Sequence, residues 1–318
     1  MKRKKWLKII ISLISCLFIV DVLAGFYFYH LAIERGPKEF LQNNSDLEVA
    51  DETMDTFLKG EWIKWKDEQP FVEMTMESDD GITLQGYYLA QEEESDKTVI
   101  FGHGYLGNAL QMSLYGKYYY EELGYNLFMP NFRGHGKSEG DYYGFGWHDR
   151  LDMIKWIETL EGTYGKKQIV LHGLSMGAAT VLMVSGEDVP DEIKAIIADS
   201  PYTSVYDLFG YQMTRMFHLP KEPILTTTSI VTKLRANYSL REASALKQVK
   251  KATVPILYIV GEADTFVPAE MTDVLFEATS SEKELVTFPK ANHGEAGVMY
   301  EAKFMATVTE FLHKYVEE

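Results

Sequence analysis

The sequence predicts an α/β fold: a mostly parallel eight-stranded sheet with flanking helices and a helical cap insertion, preceded by an N-terminal transmembrane helix. Three observations carry this reading. An apolar run over residues 9–29 follows a basic cluster. From residue 71 onward a hairpin pattern gives way to short β-rich runs alternating with helical stretches, the signature of βαβ units and a parallel sheet. Residues 201–254 form an interval too long for a single crossover and carry apolar residues at helical spacing.

The N-terminal element opens with Lys2, Arg3, Lys4, Lys5 and Lys8. A membrane-spanning helix needs about 20 mostly apolar residues, and the run meets that length. Asp21 is its one charge. Asp at a helix centre costs about 2.5–3.5 kcal/mol, whereas the 13 Leu, Ile, Phe and Val residues of the run return roughly 5 kcal/mol. The sum favours the bilayer. Basic residues crowd the N-terminal flank, which the positive-inside rule reads as a cytoplasmic N-terminus with the remainder outside. Residues 1–33 are thus expected to be a basic N-terminus and signal anchor. Two alternatives stand beside an uncleaved anchor: cleavage after Ala24, where small residues sit at signal-peptidase positions, and lipidation of Cys16, where Leu13-Ile14-Ser15-Cys16 is similar to a lipobox.

Residues 34–69 are polar with scattered apolar positions and read as a helical stalk or lead-in without function. Residues 70–318 form the main domain. Its first strands are expected at 71–76 and 82–90, an antiparallel hairpin turning at Asp79-Asp80-Gly81. The acidic loop at 92–96 reads as a solvated turn. Further strands are expected at 98–102, 125–129, 168–173, 195–199, 255–260 and 285–288, with crossover helices at 108–123, 147–161, 175–185, 269–278 and 296–315. In such sheets the reacting groups sit on loops beyond the C-terminal strand ends. In the cap at about 201–254, Val205, Leu208, Phe209, Met213, Met216 and Phe217 give one apolar face, either a wall for a hydrophobic substrate or plain packing onto the sheet.

Composition narrows the function classes. A net charge of −16 repels a phosphate backbone and argues against nucleic acid. Cys16 is the only cysteine, so the domain beyond the anchor has neither a disulfide nor a thiolate metal cluster. The stretch NFRGHGKSEG at 131–140 ends like a phosphate-binding P-loop, but Asn131 stands where the first glycine is required, and Arg133 and His135 put side chains where a phosphate needs bare backbone. No nucleotide, metal or other cofactor is expected.

The chemistry-bearing constellation centres on QIVLHGLSMGAAT at 168–180. A β-run leads into Gly173-Leu174-Ser175-Met176-Gly177 and then a small-residue helix, the context of a nucleophile elbow. That turn is so tight that the positions two before and two after the serine must lack bulk, and Gly173 and Gly177 occupy them. A serine hydroxyl is a weak nucleophile until a histidine takes its proton and an acid orients that histidine. Of eight histidines, only His293 lies just beyond the last expected strand with a helix after it. By the same logic Asp264 follows the preceding strand, with Glu262 and Asp199 as weaker candidates for the acid. His313 reads as a surface residue. The tetrahedral oxyanion needs backbone N–H donors, and Met176 and Tyr105 are expected to supply them. His103 reads as a brace for the loop that carries Tyr105.

From about residue 70 to 316 the chain resembles an α/β-hydrolase of the serine hydrolase superfamily. The resemblance rests on HGYLGN, NFRGHGKSEG, GLSMG, DSPYTS, GEADTFVP and NHG, in that order. It is closest to the membrane-tethered branch of bacterial carboxylesterases and eukaryotic acyl-protein thioesterase relatives. Ser175, Asp264 and His293 follow the chain order of that superfamily. The resemblance implies that the loop at 131–138 braces the active-site floor, with Asn131 where Asp is common. It also implies hydrolysis of carboxylic esters or thioesters, most simply of a small molecule with an apolar acyl group. A serine aminopeptidase on the same triad is the alternative, with Asp207 or Glu222 to hold a substrate ammonium. A non-catalytic binding module would need a damaged triad, and the sequence contains none.

Overall fold

The computed structural model describes residues 2–42, 44–165 and 167–317. In chain order its elements begin with helices α1 (Lys2–Phe28), α2 (Asp51–Lys59) and α3 (Glu61–Glu68). Strands β1 (Val72–Glu77), β2 (Thr83–Leu89) and β3 (Lys97–Gly102) follow, then α4 (Ser113–Glu121), β4 (Asn126–Pro130), α5 (Asp149–Tyr164), β5 (Gln168–Leu174), α6 (Met176–Val184) and β6 (Ile193–Asp199). After the cap helices α7 (Val205–Phe217) and α8 (Ile224–Ala236) and the short α9 (Ala245–Gln248) come β7 (Ile256–Gly261), α10 (Ala269–Ala278), β8 (Lys283–Phe288), α11 (Ala296–Met299) and α12 (Glu301–Leu312).

The eight strands form one sheet in the order β1-β2-β4-β3-β5-β6-β7-β8. β1 pairs antiparallel with β2, and β2 antiparallel with β4, whereas every pairing from β4 through β8 is parallel. The sheet is therefore mixed, with a parallel body. Its central strands are apolar at successive positions because helices cover both faces. Ile169 and Leu171 of β5, Ile196 and Ala198 of β6, and Ile256 and Tyr258 of β7 join one apolar cluster. The residues between them, Val170, Ala195, Ile197, Leu257 and Ile259, join the cluster on the other face. Period-2 alternation thus fills two cores at once.

The loop at 131–140 ties the antiparallel edge to the body. Buried Arg133 donates to Asp152 at 2.8 Å and, through Nη1, to Asp80 of the β1–β2 turn at 2.8 Å. Burial raises the Asp152 carboxyl, and the guanidinium opposes that rise. At Asp80, where burial counts for less, the bond from Arg133 holds the carboxyl down at about 2. Asn131 Oδ1 accepts from Ala109 N–H at 2.8 Å, and its amide donates to Gln85. The stretch that imitates a P-loop is a structural brace.

Two N-terminal features differ from the sequence reading. The helix over residues 4–33 is long and apolar enough to cross a membrane, yet its C-terminal part packs along α8. Thr227 of α8 donates to Asp21 at 2.5 Å, and a side chain at Gly25 would press into Thr227. The segment expected to be a functionless lead-in is docked on the loops of the sheet's C-terminal edge. The Asp46 carboxylate pairs with Arg215 of α7 and accepts from Thr265 Oγ1 at 3.1 Å. Asn292 Nδ2 donates to the Asp46 and Glu48 carbonyls at 3.1 and 3.0 Å, and Ala50 N–H donates to Glu295 at 3.1 Å. These contacts join residues more than 150 positions apart, which local periodicity does not encode.

Candidate active site

β5 ends at Leu174, and the chain reverses into α6 through Ser175, whose backbone sits at φ 56° and ψ −114°. A non-glycine residue there is strained. The strain is held by close packing: a Cβ at Gly177 would collide with the Gly102 carbonyl, and one at Gly173 with the Gly177 carbonyl. Ser175 N–H donates to the Asp199 carbonyl of β6 at 2.8 Å. The hydroxyl is thereby lifted above the sheet's C-terminal edge at the mouth of α6, where the helix dipole is positive.

The three residues expected from separate strand ends meet at this point. His293 Nε2 lies 2.8 Å from Ser175 Oγ, and Nδ1–H donates to Asp264 Oδ2 at 2.7 Å. The second Asp264 oxygen accepts the N–H groups of Phe266 and Val267 at 3.0 and 2.8 Å. The carboxylate is sealed from solvent and the imidazole is only 10% exposed. Burial alone pushes the imidazole pKa down, but the Asp264 carboxylate, with help from Asp199, outweighs it, so the pKa stands above its ordinary value.

The alternative acids lie elsewhere. Glu262 accepts from Thr287 at 2.7 Å on the surface. Asp199 is fully buried; one of its oxygens accepts from Ser200 Oγ at 2.9 Å and the other has no partner among the described residues. Burial pushes its carboxyl up to about 7. His313 is exposed. Buried His103 donates to the Gly104 carbonyl at 2.8 Å and accepts from Phe132 N–H at 3.1 Å, a neutral brace that burial holds near pKa 4.

That brace fixes a turn in which Gly107 N–H donates to the Gly104 carbonyl at 3.0 Å and Leu106 adopts φ 61°. Tyr105 is the first central residue of the turn, where the N–H points outward. Its neighbour Gly104 lies against Ser175: a Cβ built there would be 3.8 Å from the serine Cβ. Neither the Tyr105 nor the Met176 backbone N–H has a partner among the described residues.

An apolar pocket of about 760 Å³, its solvent-open mouth included, begins at Ser175 and Met176. Tyr105, Phe145, Tyr202 and Phe266 line its floor side, and the cap contributes Leu208, Met213, Phe217 and Leu225. The apolar cap face read from the sequence packs onto the core through Val205, Leu208 and Met213 and also lines this pocket. The pocket also has walls that the sequence did not suggest: Phe28, Leu31 and Ala32 from the end of the N-terminal helix, and Phe40 and Leu41 from the lead-in. The Tyr105 hydroxyl donates to the Ala32 carbonyl at 2.6 Å and pins that wall. Asp207 and Glu222 do not line the pocket. Asp207 is held by Ser204, Thr203 and Lys221, and Glu222 by Tyr206 and Arg241. No group of acidic, histidine and cysteine side chains suited to a metal ion occurs among the described residues.

Comparison with known proteins agrees with this architecture. A family model described as the prolyl oligopeptidase family matches residues 111–318. YqkD, an uncharacterized protein of Bacillus subtilis, is 29% identical over 233 residues, covering 73% of this chain and 76% of its own. The Pyrococcus furiosus esterase Pf2001 superposes with a TM-score of 0.64 at 26% identity, covering 80% of this chain and 96% of that one. Pyrococcus horikoshii acylaminoacyl peptidase superposes with a TM-score of 0.60 at 20% identity, covering 80% and 44%, a likeness of fold alone. The family match takes in more than half of the chain and contains the elbow and both strand ends that face it. The chain belongs to the prolyl oligopeptidase family, as a serine hydrolase with the α/β-hydrolase fold.

Proposed function

We propose that this hydrolase cleaves carboxylic esters or thioesters through an acyl-enzyme on Ser175. The observation that carries the reading is the 2.8 Å approach of His293 Nε2 to Ser175 Oγ, with Ser175 lining a pocket that has no charged lining residues. His293 takes the hydroxyl proton as Oγ bonds to the substrate carbonyl carbon, and the carbonyl electron pair moves onto oxygen. The Tyr105 and Met176 N–H groups receive that oxyanion. Collapse breaks the bond to the alkoxide or thiolate, which leaves with the proton from His293. Water, deprotonated by the same nitrogen, then releases the acid and frees Ser175. Asp264 holds the imidazole tautomer throughout.

The aminopeptidase reading requires a carboxylate for the substrate ammonium, and the engagement of Asp207 and Glu222 away from the pocket favours the ester reading. The apolar helix supports a single-pass anchor with a cytoplasmic N-terminus and an external catalytic domain. A series of p-nitrophenyl acyl esters beside aminoacyl anilides tests the substrate class: ester turnover with inert anilides is expected, and the reverse would overturn it. Labelling by a fluorophosphonate, lost in Ser175→Ala, tests the nucleophile.

A further inference from the structure

The depth at which the cap meets the membrane follows from length. Residues 9–20 make no protein contact that buries them; their side chains are exposed along the whole helix. At 1.5 Å per residue they rise about 18 Å, whereas a bilayer core is about 30 Å thick and needs about 20 residues. Starting beyond Lys8, a full span reaches residue 28. That stretch includes Asp21, Gly25 and Phe28, the positions against which α8 and the pocket pack. A chain that crosses the membrane on this helix therefore carries α8 to the level of the outer leaflet.

The surface of α8 is made for that level. Leu225 and Thr228 face the pocket, while Ile230 and Leu234, one turn apart on the opposite side, are 55% and 78% exposed. On the N-terminal helix, which packs against α8, Leu23, Phe26 and Tyr27 are also exposed. In the last turn of α8, Lys233 pairs with Glu242 at 3.1 Å and Arg235 lies over the ring of Phe26 on the N-terminal helix. Leu31, Phe40, Leu41, Met216 and Phe217 are half-buried apolar residues of the pocket lining, and Leu31 continues the N-terminal helix directly.

We propose that the substrate is the ester-linked acyl chain of a membrane lipid, taken from the outer leaflet into the pocket along the N-terminal helix. This rests on the serine-hydrolase reading above and names its substrate class. The foot of the helix acts as both anchor and pocket wall. An acyl chain moving from lipid to these side chains stays in an apolar medium, so its transfer carries little of the cost of exposing each methylene to water.

The test uses the full chain in phosphatidylcholine nanodiscs, with oleoyl lysophosphatidylglycerol in the bilayer and p-nitrophenyl acetate in solution. Turnover of both is expected. The double variant Ile230→Glu, Leu234→Glu puts two charges on the lipid-facing side of α8, each costly in hydrocarbon. It should lower lysolipid turnover by about tenfold or more and leave acetate turnover within about twofold. Equal effects on both substrates, or none on either, overturn the proposal. Acetate turnover with an intact lysolipid overturns the lipid assignment alone. Hydrolysis of a soluble S-palmitoyl peptide in preference to the lysolipid assigns the pocket to acylated protein and overturns it as well. A wild-type chain inert to acetate and to fluorophosphonate removes the serine-hydrolase reading, and this proposal with it.

Discussion

Thr227 of the cap donates a 2.5 Å hydrogen bond to Asp21, the only acidic residue inside the apolar N-terminal run. Read from sequence alone, Asp21 is a cost that the surrounding Leu, Ile, Phe and Val residues outweigh. In the fold it is the polar contact that registers the N-terminal helix on α8. Gly25, one turn on, lets the two helices approach closely.

Two substitutions test that contact. Gly25→Leu places bulk against Thr227 and should destabilise the fold by about 1–3 kcal/mol. Thr227→Val removes the donor to the half-buried Asp21 carboxylate and should cost about 1–3 kcal/mol, with Thr227→Ser restoring most of the loss. Thermal unfolding of the detergent-solubilised full chain measures both. Unchanged midpoints in both variants would mean that α1 does not rest on α8 in solution.

On the proposed mechanism, Ser175→Ala and His293→Ala should each lower kcat by about 10⁵–10⁶-fold, and Asp264→Asn by about 10⁴-fold through the wrong imidazole tautomer. Pairing the two alanine substitutions should cost little more than either alone, because the residues act as a unit. Steady-state kinetics on a p-nitrophenyl ester reads all four. Wild-type turnover in the His293 variant would remove it from the reaction.

What the sequence made legible was what short-range sterics and period dictate. The elbow could be read because only glycine fits at 173 and 177. The eight strands could be read within about two residues because each is short, β-rich and bounded by turn residues. His293 and Asp264 could be placed because each follows the end of its own strand. The docking of residues 34–50 was hidden, since Asp46 finds Arg215, Thr265 and the Asn292 amide only after the chain has folded. The pocket wall at Phe28, Leu31 and Ala32 was hidden for a related reason. An apolar residue at the end of a membrane helix carries the same sequence signal whether it meets lipid or protein.

Arg133 offers a test of the brace at 131–140. Its side chain is almost fully buried between Asp152 and Asp80. Arg133→Met leaves the Asp152 carboxylate buried without its partner and should destabilise by about 3–5 kcal/mol. Arg133→Lys should recover only part, since an ammonium cannot make the forked contacts. The expected readout is a lower denaturation midpoint with kcat/KM of the folded fraction nearly unchanged; a collapse of kcat at full stability would instead tie Arg133 to the reaction.

Asp199 links stability and activity to pH. Its carboxyl titrates near 7 in the fold against an ordinary 3.8, because burial penalises the charged form. A carboxyl raised on folding binds its proton more tightly in the native state. Stability from this group is therefore full below 3.8 and lost as pH rises towards 7, by about 4 kcal/mol at most. Asp199→Asn abolishes that loss, so its advantage in melting temperature over the wild type should grow from pH 4 to pH 8. The rate profile moves in a linked way. On the proposed mechanism His293 takes the Ser175 proton only when neutral, so kcat/KM should rise with pH through an imidazole pKa that Asp264 and Asp199 hold above its ordinary value despite burial. Removing the Asp199 charge takes away part of that support, and the acidic limb of the Asp199→Asn profile should shift to lower pH. A limb that stays in place while the melting difference grows would separate the two roles, leaving Asp199 as a cost to folding with no influence on the base.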